Sequence, residues 1–169
     1  KVDASFDYIT TRVVSDPGGS FVKSVLLPVG AVDHVQKGSA VMAGRGLIGR
    51  ITEVGRHSSR ALLVTDLNSH IPVVIQNTRI KAILAGKNDD TLRLERFPAD
   101  SGIVVGSRVV TSSDSGVLPP DIPIGIITEV TKNGVLVKPL ADLDSVTYVQ
   151  IINTYIDPGL ITGTLDPAD

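Results

Sequence analysis

Three side chains in this sequence have the types and the order of a serine peptidase triad. His57, Asp66 and Ser115 follow one another along the chain, and Ser115 lies in the stretch Ser113-Asp114-Ser115-Gly116. Peptidases built from two β-barrels carry their nucleophilic serine in Gly-Asp-Ser-Gly, where an imidazole and an oxyanion hole of backbone N–H groups activate it. Here Ser113 replaces the first glycine of that motif. A two-barrel serine peptidase, active or degenerate, that uses Ser115 is therefore an alternative hypothesis only.

A second motif has the letters of a dinucleotide-binding loop. Residues 44–49 read Gly-Arg-Gly-Leu-Ile-Gly, and Asp66 lies downstream. In dinucleotide-binding proteins the third glycine opens a helix whose N-terminus holds the pyrophosphate. In this sequence Gly49 is followed by Arg-Ile-Thr-Glu-Val, which is typical of a strand. The motif therefore predicts a turn and a strand glycine, and we expect no cofactor.

The other polar residues do not predict a metal site. No cysteine is present, and the three histidines lack ligand-like spacing: His34, His57 and His70. Asp142 and Asp144 resemble the start of a calcium loop, but the later glycine and glutamate of such a loop are absent. We interpret Asp66 and Asp142 as residues that end strands by accepting hydrogen bonds from backbone N–H groups.

The elements that would position these residues occur twice along the chain. Residues 47–54 read LIGRITEV, and residues 123–130 read PIGIITEV, at an offset of 76 residues. Upstream, Gly38-Ser39 resembles Gly106-Ser107 at an offset of 68. The second copy therefore has eight extra residues in the region that includes Ser115. This pattern indicates an internal duplication with one loop insertion.

Composition predicts a protein of short strands. Hydrophobic residues make up 42% of the chain but aromatic residues only 4%. The hydrophobic residues are therefore mainly aliphatic, with many Val, Ile and Leu. Branched side chains of this kind favour strands, while sixteen glycines and ten prolines provide frequent turns. No segment shows a sustained helical apolar period, so we expect little helix. The predicted fold class is all-β, with two small β-barrel subdomains related by the duplication.

Charge and hydropathy exclude several function classes. The net charge of −2 at pH 7, without clustered Lys and Arg, argues against a nucleic-acid partner. A carbohydrate-binding module, the other alternative, is disfavoured by three Tyr, three Phe and no Trp, since sugar platforms rely on stacking. No apolar stretch approaches the roughly 18 residues that a membrane helix needs. The chain begins at Lys1 and its only methionine is Met42, so we expect a fragment without its signal or anchor.

Apolar runs bounded by Gly, Pro and Asn turns predict the strands and the subdomains. The predicted strands are 21–27, 40–43, 47–54, 61–65, 71–76, 80–85, 91–96, 108–111, 124–130, 135–138 and 146–152. We place the first barrel subdomain at 21–97 and the second at 98–156, with a lead-in at 1–20 and a mobile tail at 157–169. The N-terminal strands suit either half, so we expect blurred boundaries.

Several of these segments resemble the rod shape-determining protein MreC family. In the first copy the similar residues are Lys37-Gly38, Val41, 46–51 (GLIGRI) and 58–69 (SSRALLVTDLNS). In the second copy they are Val110-Thr111-Ser112 and 118–125 (LPPDIPIG). The resemblance spans roughly Val29 to Ile152, most of the chain. It departs from the family at Ser113-Asp114-Ser115, where Gly-Leu-Gly is usual, and at Asp121, which replaces a frequent glycine.

The resemblance implies a function as well as a fold. Members of this family are non-enzymatic, single-pass inner-membrane proteins of bacteria with a membrane helix, a coiled coil and a periplasmic domain of two β-barrels. They scaffold the machinery that elongates the cell wall, and they bind and activate a class B penicillin-binding transpeptidase. Their other partners are MreD, RodA and MreB, and they self-associate into dimers or filaments. The chain then corresponds to the periplasmic domain, with residues 1–20 after a missing membrane helix and coiled coil.

Two strands are candidates for partner binding, because each ends its copy of the repeated unit. Unpaired backbone groups at a sheet edge can recruit a partner strand. The candidate residues are Ile71, Val73 and Ile75 in the first copy and Thr147, Val149 and Ile151 in the second. Pro72 lies within the first of these strands and favours an edge position, since proline cannot donate a backbone hydrogen bond.

Overall fold

The computed structural model describes residues 4–14, 23–114, 116 and 118–156 of the chain. Regular structure in this part consists of strands and one three-residue 3-10 turn, Ala31–Asp33, so the expectation of little helix is confirmed for these residues. In chain order the strands are β1 Ala4–Arg12, β2 Ser24–Leu27, β3 Ala40–Ala43, β4 Gly46–Val54, β5 Ser59–Leu63, β6 His70–Ile75, β7 Lys81–Gly86, β8 Leu92–Glu95, β9 Arg108–Thr111, β10 Pro123–Thr131, β11 Gly134–Pro139 and β12 Tyr148–Ile156. β1 lies within the predicted lead-in at 1–20, where no strand was expected.

These strands form two sheets. The first is an open, curled sheet with the order β1-β12-β3-β4-β5-β2. Its two ends approach one another just past β1, where the Val14 N–H donates to the Leu26 carbonyl at 2.9 Å. The second is a closed barrel with the order β10-β11-β8-β7-β6-β9. The all-β fold class is therefore confirmed, with one closed barrel and one curled sheet where two barrels were expected.

The duplication predicted from the sequence is confirmed by the hydrogen bonding. β3, β4 and β5 of the first copy are paired in the same way as β9, β10 and β11 of the second. A bulge follows Ile51 in β4, and an equivalent bulge follows Ile127 in β10. The Gly38 N–H donates to the Ile51 carbonyl at 2.7 Å, and the Gly106 N–H donates to the Ile127 carbonyl at 2.8 Å. The two copies therefore share strand order, register and bulge position.

The fourth strand of each copy is exchanged. β6 follows β5 along the chain but pairs with β9 of the second copy, and β12 follows β11 but pairs with β3 of the first. The two registers are equivalent, because Ile75 lies opposite Val109 and Ile151 lies opposite Val41. Each copy thus contributes its last strand to the sheet of the other copy, and backbone hydrogen bonds tie the two copies together.

The sheets divide the chain differently from the predicted subdomains at 21–97 and 98–156. β6, β7 and β8 complete the closed barrel with β9, β10 and β11, and β12 joins the first sheet together with β1. The physical reason is the exchange: repetition in a sequence shows which segments are equivalent, but not which of them pair. The boundary at residue 97 therefore does not separate the two sheets. The predicted tail at 157–169 lies outside the described residues.

Buried side chains form two clusters, one in each sheet, and β4 contributes to both. Leu47 packs in the cluster of the barrel, whereas its neighbour Ile48 packs in the cluster of the curled sheet. A strand that is covered on both faces reads as a continuous apolar run, which explains why residues 46–49 show no alternation. Ala40 and Ile152 also belong to the barrel cluster, so the curled sheet rests its outer face on the barrel.

Two buried serines differ in their hydrogen bonding, and this difference predicts opposite effects of alanine. Among the described residues the Ser59 hydroxyl has no hydrogen-bond partner, whereas Ser39 Oγ donates to Asn153 Oδ1 at 2.8 Å. Ser59→Ala removes an unsatisfied group and should leave the free energy of unfolding unchanged or raise it by up to about 1 kcal/mol. Ser39→Ala leaves Asn153 Oδ1 without its donor and should lower the free energy of unfolding by about 1 to 3 kcal/mol. Urea unfolding measures both, and a larger loss for Ser59→Ala would contradict the assignment.

Candidate interaction surfaces

The strands predicted to bind partners are interior strands. β6 is hydrogen-bonded to β7 and β9, and β12 is hydrogen-bonded to β1 and β3, so the edge positions assumed for both strands are wrong. Of the six candidate residues only Thr147 is exposed. The other five are at most 2% exposed and pack in the two clusters: Ile71, Val73, Ile75, Val149 and Ile151. A role of these strands in partner binding stays a prediction.

Pro72 occupies an interior strand without breaking it. Its carbonyl accepts the Ser112 N–H at 3.0 Å, one residue beyond the end of β9. The missing proline N–H therefore removes a hydrogen bond only at the end of the β6–β9 ladder. Proline occurs at strand ends and bulges as well as at sheet edges, and Pro72 lies at the end of a strand ladder.

The curled sheet exposes its edge at β1. Along Ala4–Arg12 this strand pairs with β12, and no other described strand pairs with it. Tyr8 and Tyr148 are each 61% exposed, and Arg12, which lies opposite Tyr148, is exposed as well. Because alternate residues of a strand share a face, these three side chains lie on one side of the sheet, and we call this surface the tyrosine face. Tyrosine and arginine are enriched among residues that dominate binding at protein interfaces, so it is our candidate interaction surface.

A cleft of 470 Å³ lies where the loop between β7 and β8 meets the segment that follows β11. Its charged lining mixes both signs: Lys23, Lys138, Asp89, Asp90, Asp142 and Asp144. A hydrogen bond from the Thr91 N–H, supported by the nearby Lys87 ammonium, lowers the pKa of Asp89 below its ordinary value. Interspersed charges of both signs select neither an anionic nor a cationic ligand. The cleft therefore indicates no particular ligand class.

The described part of the chain contains neither a metal-binding cluster nor a membrane-spanning helix. No group of three His, Asp or Glu side chains in that part is arranged to hold a metal ion. Its histidines lie on separate elements: His34 after the 3-10 turn, His57 in the turn before β5 and His70 at the start of β6. None of the described segments is a helix with the length and hydropathy needed to cross a membrane.

The two described residues of the peptidase hypothesis, His57 and Asp66, do not form part of a catalytic triad. His57 is exposed in the turn before β5, and Asp66 follows the other end of that strand. The five residues of β5 extend over roughly 16 Å, which keeps these two side chains far beyond hydrogen-bond distance. Ser115 lies outside the described residues. His57 is therefore not the residue that Asp66 orients.

Asp66 and Asp142 instead fix the turns that follow β5 and β11. Asp66 is 1% exposed, and its carboxylate accepts the N–H groups of Lys23 and Asn68, each at 2.8 Å. The Asp142 carboxylate accepts the Asp144 N–H at 3.1 Å and the Ser145 hydroxyl at 2.8 Å. The interpretation of both aspartates as strand-ending residues is confirmed.

The glycine motif at 44–49 forms a turn and a strand. Gly44, with a φ of 57°, lies in the turn between β3 and β4, and Gly49 lies within β4. A Cβ atom at Gly49 would collide with the carbonyl oxygen of Leu62 in β5. A dinucleotide would need a helix N-terminus at this point. The structural interpretation of the motif is therefore confirmed.

Two described apolar residues of the inserted loop between β9 and β10 pack into the barrel. The Thr111 hydroxyl donates to the Pro119 carbonyl at 2.6 Å and accepts the Ile122 N–H at 2.9 Å. Leu118 and Ile122 belong to the barrel cluster. Asp121, which stands where the resembling family often has glycine, has a φ of 65°, a conformation that glycine adopts without steric strain. The departure at Asp121 thus lies beside Ile122, which packs in the barrel cluster.

Two exposed ion pairs connect this loop to the hairpin of β6 and β7. Lys81 Nζ lies 2.9 Å from Asp114 Oδ2, and Arg79 Nη1 lies 3.6 Å from Asp121 Oδ1. The hydrogen bond from Lys81, together with its charge, lowers the pKa of Asp114 below the ordinary value of an aspartate.

Lys81→Met should raise the pKa of Asp114 toward its ordinary value. Because the folded-state pKa is lowered, the stabilising contribution of Asp114 is present above its unfolded-state pKa and is lost as pH falls through the folded-state pKa. Both groups are exposed, so the change in unfolding free energy should be small. NMR titration of the Asp114 side chain measures the shift, with Arg79→Met as the matched control. An unchanged Asp114 pKa in Lys81→Met would show that this lysine is not its partner.

Comparison with known proteins assigns most of the chain to one family. Residues 13–153 match the family model described as rod shape-determining protein MreC, barrel core. A protein of Cereibacter sphaeroides named cell shape-determining protein MreC is 37% identical over 164 residues, which cover 94% of this chain and 55% of that protein. The chain thus spans about half the length of this curated relative.

Solved structures agree with this assignment. The major periplasmic domain of the cell shape-determining filament MreC has a TM-score of 0.78 at 26% identity, over 88% of this chain and 99% of that domain. A chain from the complex between penicillin-binding protein (PBP2) and MreC of Helicobacter pylori has a TM-score of 0.67 at 15% identity, over 87% of this chain and 98% of that chain, and supports the fold alone. The family model and the relative together show that this chain belongs to the MreC family.

Proposed function

We propose that this chain is the periplasmic barrel domain of a non-enzymatic scaffold for bacterial cell-wall elongation. In this role it maintains rod shape by binding and activating a class B penicillin-binding transpeptidase. The observation that carries the proposal is the family match over residues 13–153. It is supported by the existence of a complex between PBP2 and MreC in Helicobacter pylori. The description of a 26% identical domain as periplasmic supports the location.

The geometry of the molecule suits a scaffold better than an enzyme. His57 and Asp66 lie at opposite ends of a strand, and the cleft lining mixes charges without a converging set of polar groups. By contrast, the tyrosine face presents two aromatic rings and a guanidinium on a regular sheet. Rigid aromatic side chains on a rigid element are suited to binding another protein. We therefore assign the transpeptidase contact to the tyrosine face.

The proposal includes further partners of the whole protein. These are MreD, RodA and MreB, together with a second copy of the chain in a dimer or filament. Attachment to the inner membrane is through a helix that lies outside this sequence, in a single-pass arrangement. The name of the 26% identical relative as a cell shape-determining filament supports self-association.

Sedimentation velocity tests the transpeptidase contact. A concentration series of the chain is run alone and then with the extracytoplasmic part of the transpeptidase from the same organism, and a heavier species is expected on addition. Replacement of Tyr8 and Tyr148 by serine should weaken the complex at least about tenfold, because truncation of an interface hot spot costs about 2 kcal/mol or more. The matched control replaces Val104 and Val105, which are 55% and 61% exposed, by serine.

The two possible failures of this experiment have different meanings. Sedimentation that the transpeptidase leaves unchanged would overturn the proposed function. A complex that forms equally well with the tyrosine variant and with the valine control would retain the function but overturn the assignment to the tyrosine face. Loss of binding in the valine control alone would place the contact at the loop before β9.

The non-enzymatic part of the proposal has its own test. A serine-reactive fluorophosphonate should leave the native chain unlabelled under conditions that fully label a serine peptidase. Ser115→Ala is the matched variant. Labelling of the native chain that disappears in Ser115→Ala would support the peptidase alternative and overturn the scaffold as the sole function.

A further inference from the structure

β12 lies between β1 and β3 in the curled sheet, a place that the β12 strand of another molecule could also occupy. It pairs with β1 over the nine residues of Ala4–Arg12 and with β3 over three residues. No described strand follows β12, so within the described part nothing has to be threaded through the sheet when β12 leaves. β6, the equivalent strand of the first copy, is enclosed in the closed barrel and continues into β7. β12 is therefore the exchanged strand that can leave its sheet while the barrel stays closed.

The segment before β12 has the length and the local structure of a hinge. Residues 140–147 separate β11 from β12, and a chain of eight extended residues spans about 26 to 29 Å. The segment is folded back at Asp142, whose carboxylate accepts the Asp144 N–H and the Ser145 hydroxyl. Five residues of this segment line the 470 Å³ cleft, so one side of the segment faces open space. Leu143 is partly buried and packs against both clusters. Opening one exposed turn and releasing Leu143 would extend the hinge.

We propose that β12 exchanges between two copies of this chain, so that each copy places its β12 between β1 and β3 of the other. The inference rests on the self-association included in the proposed function, and it names the contact that produces it. The exchanged dimer re-forms all hydrogen bonds of β12 and buries Val149 and Ile151 in the same cluster. Because the contacts are identical, the free energy of exchange is set by the hinge and by association, which makes such swapping a favourable route to dimers.

The fold itself contains the precedent for this exchange. β6 of the first copy completes the sheet of the second, and β12 of the second completes the sheet of the first, in equivalent registers. Within one chain, the last strand of each repeated unit therefore already pairs with the other repeated unit. Exchange between two chains repeats it with the partner strand supplied by a second molecule.

Cysteine pairing can detect the exchange, because the chain has no native cysteine. Thr10 on β1 lies opposite Gln150 on β12, and both are exposed. The Val13 N–H donates to the Thr147 carbonyl, which by alternation leaves Thr10 and Gln150 without direct hydrogen bonds to one another. The Cα atoms of such a pair lie about 4.5 Å apart, within the range of about 4.4 to 6.8 Å that a disulfide spans.

The single variants Thr10→Cys and Gln150→Cys are co-expressed and then oxidised. We expect a covalent dimer with one chain of each variant, joined between positions 10 and 150, which peptide mass mapping identifies. Each variant oxidised alone should lack this crosslink. The two substitutions on one chain, oxidised at high dilution, should lock β12 onto its own β1 and abolish the dimer that we expect in sedimentation. Disulfides that join only two chains of the same variant would overturn the exchange.

Asp142 provides a matched pair of hinge variants. Asp142→Ala removes the acceptor that folds the hinge back, and should increase the yield of the mixed disulfide. Asp142→Asn keeps an oxygen acceptor for the Asp144 N–H, and should leave the yield close to that of the native hinge. Equal yields from Asp142→Ala and the native hinge would overturn the assignment of the hinge.

Sedimentation separates failure of this inference from failure of the proposed function. A dimer that forms without the mixed disulfide overturns the exchange and leaves self-association intact. A chain that stays monomeric at every concentration overturns both the exchange and self-association of this domain. Transpeptidase binding is measured in a separate series, so neither result decides it.

Discussion

Gly49→Ala should lower the free energy of unfolding by about 3 kcal/mol or more, the upper part of the range for overpacked cores. A Cβ atom at this position would collide with the Leu62 carbonyl oxygen, and a backbone atom held in a ladder cannot move aside as a flexible side chain can. Gly49 is paired with Val41 on one side and with Leu63 on the other, so the collision falls in the middle of three hydrogen-bonded strands. Urea unfolding followed by far-UV circular dichroism measures the loss.

Two further glycines provide the control and the replicate for this experiment. An added Cβ at Gly55 would have its nearest neighbour at 3.4 Å, an ordinary contact, so Gly55→Ala should stay within about 1 kcal/mol of the native chain. Gly125, the equivalent of Gly49 in the second copy, would place its Cβ 2.5 Å from the Lys138 carbonyl oxygen and should behave like Gly49. If Gly49→Ala and Gly55→Ala unfolded at the same urea concentration, the close approach of β4 and β5 would be contradicted.

The parts of the fold that sequence predicts are those that depend on local pattern. In β8, Leu92 and Leu94 are buried while Arg93 is exposed, as the alternation of apolar and polar residues indicates. The duplication was visible because equivalent residues recur at a fixed offset. β1 was missed although Tyr8-Ile9-Thr10-Thr11 favours a strand, because turn-forming residues at 15–20 dominate that region. Its partner β12 lies at the far end of the chain, where no local pattern connects them.

The candidate surface was not predictable for the same physical reason. Whether a strand is an edge or an interior strand depends on which distant strand pairs with it, and the exchange of β6 and β12 reverses the expectation that each copy ends at an edge. Tyr8 and Tyr148 share one face of a sheet only because β1 pairs with β12. By contrast, the turn-fixing roles of Asp66 and Asp142 were predictable, since a carboxylate bonds to N–H groups a few residues along the chain.

Ile151→Ala should lower the free energy of unfolding by about 2 to 5 kcal/mol, the range for a buried isoleucine truncated to alanine. Ile151 is 0% exposed and packs in the cluster of the curled sheet, opposite Val41 of β3. It belongs to the second copy of the repeat by sequence, but most buried residues of its cluster, including Val41, precede the second copy. Urea unfolding measures the loss, and Thr147→Ala, at an exposed position just before β12, should stay within about 0.5 kcal/mol of the native chain.

A double-mutant cycle on Ile151 decides which copy it packs with. Side chains in contact couple by about 0.5 to 3 kcal/mol, whereas distant sites add. Ile151→Ala should therefore couple with Val41→Ala, its neighbour across the ladder, and should be additive with Val109→Ala, which packs in the barrel cluster. If the two copies were instead closed on themselves, Ile151 would lie beside Val109, and the coupling would appear in that pair. The outcome thus separates an exchanged duplication from two independent halves, a difference that follows from strand pairing alone.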